Sequence, residues 1–94
     1  MSDLKTPPQP VAVMSPITKE IKQKAILRNW THYPAGGGRF DRDFNHLEGN
    51  VYGHPDPWLP DGEYIATSMV LWIDLSLRVA ETRNTVYILE GPPA

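Results

Sequence analysis

From Ile26 onward, apolar and polar side chains alternate with a period of two, and turn residues cut that alternation at near-regular intervals. Ile26, Arg28, Trp30 and His32 fall on one face of an extended segment, and Leu27, Asn29, Thr31 and Tyr33 on the other, which predicts a first strand ending at Pro34. The stretch 34–46, with Gly36, Gly37 and Gly38 inside it, reads as a long loop or wide hairpin tip. A second strand is expected over 47–53, followed by the proline-punctuated loop 54–60. Behind the turn pair Asp61-Gly62, residues 63–73 form the longest β-branched and aromatic run, with Trp72 expected in the core at its middle and Trp30 expected in the core of the first strand. Finally, 78–82 and 85–89 bracket Arg83-Asn84 as a hairpin.

Before this region the period changes. Ser15-Pro16 is a helix start, with Ser as cap and Pro at the first helical position, and Ile17, Ile21 and Ala25 then share one face. A short helix over 16–24 is expected, with Lys19, Glu20, Lys22 and Gln23 facing water. Residues 1–14 hold Pro7, Pro8 and Pro10 and read as an extended arm. The predicted fold class is therefore α+β: a small antiparallel sheet of four to five strands with one short N-terminal helix and a Pro-rich arm. Residues 1–14 would be the arm and 15–94 a single small domain.

At 94 residues, one core of this kind yields only about 3–5 kcal/mol without a further staple. The chain has no cysteine, which removes disulfides, thiolate zinc sites and cysteine nucleophiles, so self-association into a dimer or higher oligomer is the expected aid. Net charge is −2, with nine basic residues scattered along the chain, which argues against a nucleic-acid binder. No apolar run approaches the ~20 residues of a membrane span, and the opening Met-Ser-Asp-Leu-Lys lacks a secretory pattern, so a cytoplasmic protein is expected.

No catalytic or metal signature along the chain is complete. The triple glycine is followed by neither Lys-Ser/Thr nor a helical pattern, so it is not a phosphate loop. Asp41-x-Asp43-x-Asn45 starts like a calcium loop, but His46 and Tyr52 stand where Gly and the bidentate Glu are needed. His32, His46 and His54 have no spacing that places two ligands on one helical face, and Ser68 with His54 lacks the strained nucleophile turn. No cofactor is expected, and the chain reads as non-enzymatic. What remains is a set of rings and guanidinium groups at element ends: Trp30, Tyr33, Trp58 and Tyr87, with Arg28, Arg39, Arg42 and Arg83. Flat π faces beside guanidinium forks suit nucleobases and phosphates. The candidate ligand-binding residues are Arg28, Trp58, Arg83, Asn84 and Tyr87.

The segments Gly49-Asn-Val-Tyr-Gly-His-Pro, Pro60-Asp-Gly-Glu-Tyr-Ile-Ala-Thr-Ser-Met-Val and Glu81-Thr-Arg-Asn-Thr-Val-Tyr-Ile-Leu together resemble the first-described phage Thoeris anti-defence sponges. The resemblance covers roughly residues 28–89. It implies a non-catalytic protein that sequesters the cyclic ADP-ribose signal of an immune TIR enzyme, and possible capture of cyclic oligonucleotides. It also implies that Arg28 and Arg83 meet the ligand's phosphates and adenine, with Trp58 as an aromatic before the Asp-Gly turn, in pockets between subunits. The alternative is a phage or host adaptor or inhibitor acting on a bacterial defence complex by protein–protein contact, through the same Trp, Tyr and Arg residues. The acidic stretch holding Asp41, Asp43 and Glu48 would then mimic nucleic acid.

Overall fold

The computed structural model describes residues 22–94. They form six strands: β1 (Gln23–Tyr33), β2 (His46–Tyr52), β3 (Tyr64–Ala66), β4 (Val70–Asp74), β5 (Val79–Thr82) and β6 (Thr85–Glu90). Their spatial order is β3-β2-β1-β6-β5-β4 in one sheet. β1 and β6 run parallel, and every other neighbouring pair is antiparallel.

The expectation of an α+β protein with four to five antiparallel strands is corrected on each count: the described part is all-β, six-stranded and mixed. Gln23 and Lys24, expected to end a helix, open β1 and pair with Thr85 and Val86 of β6. A ladder available in the folded chain overrides weak local propensity at such positions. Lys22, within the same expected helix, is not helical; residues 16–21 of that helix, and the arm over 1–14, lie outside the described residues.

The extra strand arises because the run 63–73 divides at Thr67. Thr67 N–H donates to Leu47 O at 2.8 Å and its Oγ1 accepts from Leu47 N–H at 3.0 Å, after which Val70 N–H donates to Asn45 O at 2.9 Å. The chain thus stays on β2 through β3 and transfers to β5 through β4, whose Val70 is the partner of Thr82. The two ends of the sheet are consecutive parts of one chain path, and the sheet curls closed around its core. Counted along that path there are five up-and-down runs. When an odd number of alternating runs closes, the first and last must point the same way, which gives the parallel β1–β6 pair.

All six strands supply the core: Ala25, Leu27, Trp30, Leu47, Val51, Ile65, Val70, Ala80, Tyr87 and Leu89. Leu27, Leu47 and Leu89 are fully buried, each removing about 1.5–3 kcal/mol of apolar surface from water. Trp30 belongs to this core with Leu27, although strict alternation places the two on opposite faces. Asn29, at φ 54°, forms a bulge where the β1–β2 register slips between Arg28 and Thr31, and this turns Trp30 inward. Trp72 departs from expectation in the other direction: it faces outward, 36% exposed.

Candidate functional site

The open side of β3, left uncovered where the chain transfers to β4, borders a cleft of about 690 Å³. One wall is Ile65 to Ser68. Facing it are the β5–β6 turn (Arg83, Asn84) and the first residues of β6 (Thr85, Tyr87), while Lys22 and Gln23 enter from the start of β1 and His54, Asp56 and Leu59 from the loop after β2. Arg42 reaches the same cleft from the glycine loop.

Local chemistry explains why these groups stay put. The β5–β6 turn is clamped by Thr82, whose Oγ1 donates to Thr85 O at 3.0 Å and accepts from Thr85 N–H at 3.2 Å, so Arg83 and Asn84 project outward. In the loop after β2, the Asp56 carboxylate accepts Trp58 N–H at 2.9 Å and Asp56 O accepts Leu59 N–H at 2.9 Å, a side-chain-closed turn. Tyr87 is buried, with the His54 ring tilted at 6.3 Å; burial holds its phenol above the usual value.

The cleft's charge is dominated by Lys22, Arg42 and Arg83 against the single carboxylate of Asp56. Lys22 is partly neutralised: its Nζ lies 2.6 Å from buried Glu81 and donates to Thr82 O at 2.8 Å. Arg42 is different. Its Nε is buried with no hydrogen-bond partner among the described residues, its guanidinium lying 5.7 Å from the Phe44 ring centre. A buried guanidinium N–H without an acceptor costs about 1–3 kcal/mol, a standing penalty at this wall of the cleft.

His54 and Ser68 both line the cleft. His54 Nδ1 accepts Asp56 N–H at 3.0 Å, which leaves Nε2 as the protonated nitrogen, donating to Thr85 Oγ1 at 3.1 Å. The ring's one lone pair is occupied by a backbone amide and is not aimed at Ser68, so the pair is not arranged as base and nucleophile. The other two histidines sit elsewhere: His32 Nε2 meets Asn45 Oδ1 at 2.7 Å, and His46 is fully buried beside Glu48. Among the described residues no three His, Cys, Asp or Glu side chains gather to hold a metal.

Of the five candidate ligand-binding residues, Arg83, Asn84 and Tyr87 come together in this cleft. Arg28 does not join them. It lies on the outer face, ion-paired to Glu90 and 4.6 Å over the Tyr52 ring. Arg28 pairs with Glu90 and Gln23 with Thr85, so Arg28 sits five residues further along the β1–β6 ladder, roughly 17 Å from the cleft end at ~3.3 Å per residue. Trp58 is 84% exposed beside the cleft and is not among its lining residues.

Lys22, Arg42 and His54 were not among the candidates. Lys22 read as a water-facing helix residue, and only the β1–β6 pairing brings it across. Arg42 had a sequence signal, a cation beside the glycines, but nothing local tied that loop to the β3 wall. Glu48, grouped by sequence with the acidic loop, is fully buried in β2 and cannot mimic a phosphate. No family model matches the chain. Neither a curated protein nor a solved structure matches it. Among the described residues no helix is long and apolar enough to cross a membrane.

Proposed function

We propose that this protein is a non-enzymatic binder that captures a small phosphate-bearing nucleotide in the cleft, as a phage anti-defence sponge for a signal of the cyclic ADP-ribose type. One observation carries the reading: cations from separate chain segments, Arg42 and Arg83, with Lys22 beside them in its pair with Glu81, line a cleft of about 690 Å³ with the amide of Asn84 and the hydroxyls of Ser68 and Tyr87. Guanidinium groups match phosphate oxygens, amides and hydroxyls match ribose and base edges, and the absence of an available base at His54 favours holding over reacting. The sequence resemblance supplies the cyclic nucleotide class.

Calorimetric titration with cyclic ADP-ribose isomers and cyclic di- and trinucleotides tests this. One of them should bind, and Arg83→Ala should weaken it about 10- to 100-fold, the loss of a charged hydrogen bond worth about 1.5–3 kcal/mol. No heat with any of these ligands overturns the reading. A second reading, an adaptor acting by protein–protein contact, is favoured by Trp58, an indole standing free on a turn held by Asp56. Its signature is a stoichiometric protein partner in a host lysate that Trp58→Ala releases.

A further inference from the structure

Five of the eight large apolar side chains that stand exposed among the described residues are Met69, just before β4, Leu71 and Trp72 on it, and Leu75 and Leu77 in the turn after it. Leu71 is 50% and Leu77 67% exposed. β4 is also a terminal strand of the sheet. Its Val70 N–H is taken by Asn45 O, but past that point residues 71–73 have no partner strand on their outer side among the described residues.

Sheet edges of single-chain proteins are usually guarded by lysine, proline or an inward charge. Residues 69–77 contain neither lysine nor proline, and their one acid, Asp74, is engaged at home. Its carboxylate accepts Leu77 N–H and Ser76 N–H at 3.0 Å each and Ser76 Oγ–H at 2.8 Å. The register slip between Val70 and Trp72 further loosens Leu71 from β5.

We propose that this edge is a homodimer interface in which β4 pairs antiparallel with β4 of a second copy, Trp72 lying opposite its own symmetry mate. The occupant is a second copy because the sequence is close to palindromic about Trp72. In that register Leu71 faces Ile73 and Met69 faces Leu75, so the apolar residues meet apolar ones, and Asp74, already tied to its own turn, faces only Val70. Two-fold pairing of alternating strands requires some residue to sit opposite itself. Centring on Ile73 instead would set Asp74 against Trp72. The same patch serves both subunits and pairing uses up the β4 edge of each, so assembly through this patch stops at two. Within residues 69–77 no cation is present to select an acidic partner of another kind.

Sedimentation velocity over a dilution series should give twice the chain mass for the wild type, falling to one chain on dilution. Leu71→Glu and Trp72→Glu should each remain at one chain mass at every concentration, the latter placing two carboxylates face to face on the axis, with circular dichroism reporting the folded barrel. Should both variants unfold, hydrogen exchange of wild-type residues 71–73 decides: their amides should slow as concentration rises. A wild type that stays monomeric up to its solubility limit overturns the proposal, as does a dimer that survives both substitutions. Concentration-independent protection of those amides overturns it too, and would point to residues 1–21 of the same chain as the cover.

Discussion

A carboxylate inside a small barrel must fill its lone-pair directions from the protein, and Glu48 does so with four donors. Arg39 N–H and Phe40 N–H reach it at 2.9 and 3.1 Å, His46 Nε2 at 2.9 Å and the Tyr64 hydroxyl at 3.2 Å. Burial pushes its pKa up, but the bonds from His46, Phe40, Arg39 and Tyr64 outweigh it and hold the carboxyl below its ordinary value of 4.5. The sign of the pH effect follows. A depressed folded-state pKa contributes stability above the unfolded-state value, and that contribution is lost as pH falls through the folded-state value. Urea unfolding should therefore show a plateau above about pH 5 and a decline below it, to which Glu48 contributes. Glu48→Gln should cost about 1–3 kcal/mol at neutral pH and flatten the acid limb. The same residue shows where reading from sequence stops. Its neighbours Asp41 and Asp43 suggest an acidic surface, yet Gly38 has no side chain because a Cβ there would strike the Glu48 carboxylate, a contact no local pattern encodes.

At the scale of elements, the glycine loop is pinned by Glu48 on one strand, and the bulge in β1 is matched by a gap in the next. Gly49 of β2 faces it, and a Cβ there would lie 2.8 Å from Arg28 O and 3.0 Å from Trp30 Cα. Gly49→Ala should therefore lose about 1–3 kcal/mol by overpacking, measured by thermal or urea unfolding. A change near zero would mean the bulge relaxes freely. The strands themselves were largely legible from residues 26 to 89, and so was the Arg83-Asn84 hairpin, because period-two alternation and turn chemistry are local signals. The bulge was not, since Asn29 at positive φ matters only against Gly49. The break at Thr67 was not either, because a β-branched residue inside a β-branched run gives no sign that its hydroxyl will accept Leu47 N–H. One wall of the cleft was legible for the same reason: Arg83, Asn84 and Tyr87 share one hairpin, whereas Lys22 and Arg42 arrive by closure of the sheet.

At the scale of the molecule, Lys22 ties the entrance of β1 to β5, with β6 between them. Its side chain is 8% exposed and that of Glu81 fully buried, and neither Glu81 oxygen has a well-directed hydrogen bond among the described residues. Lys22→Met should cost about 3–5 kcal/mol by stranding the Glu81 carboxylate, and adding Glu81→Leu should restore most of it. Urea midpoints of the two single variants and the double check the coupling.

Because β1 and β6 are neighbours, the last long strand to be made is the one the first must wait for. The β1–β2 hairpin can form with its other side bare, and the strand it lacks begins only at Thr85, Gln23 meeting Thr85 and Arg28 meeting Glu90. Such distant pairing makes folding slow and leaves a sticky half-barrel on the ribosome in the interval, so cellular yield should depend on how fast translation carries the chain past Glu90.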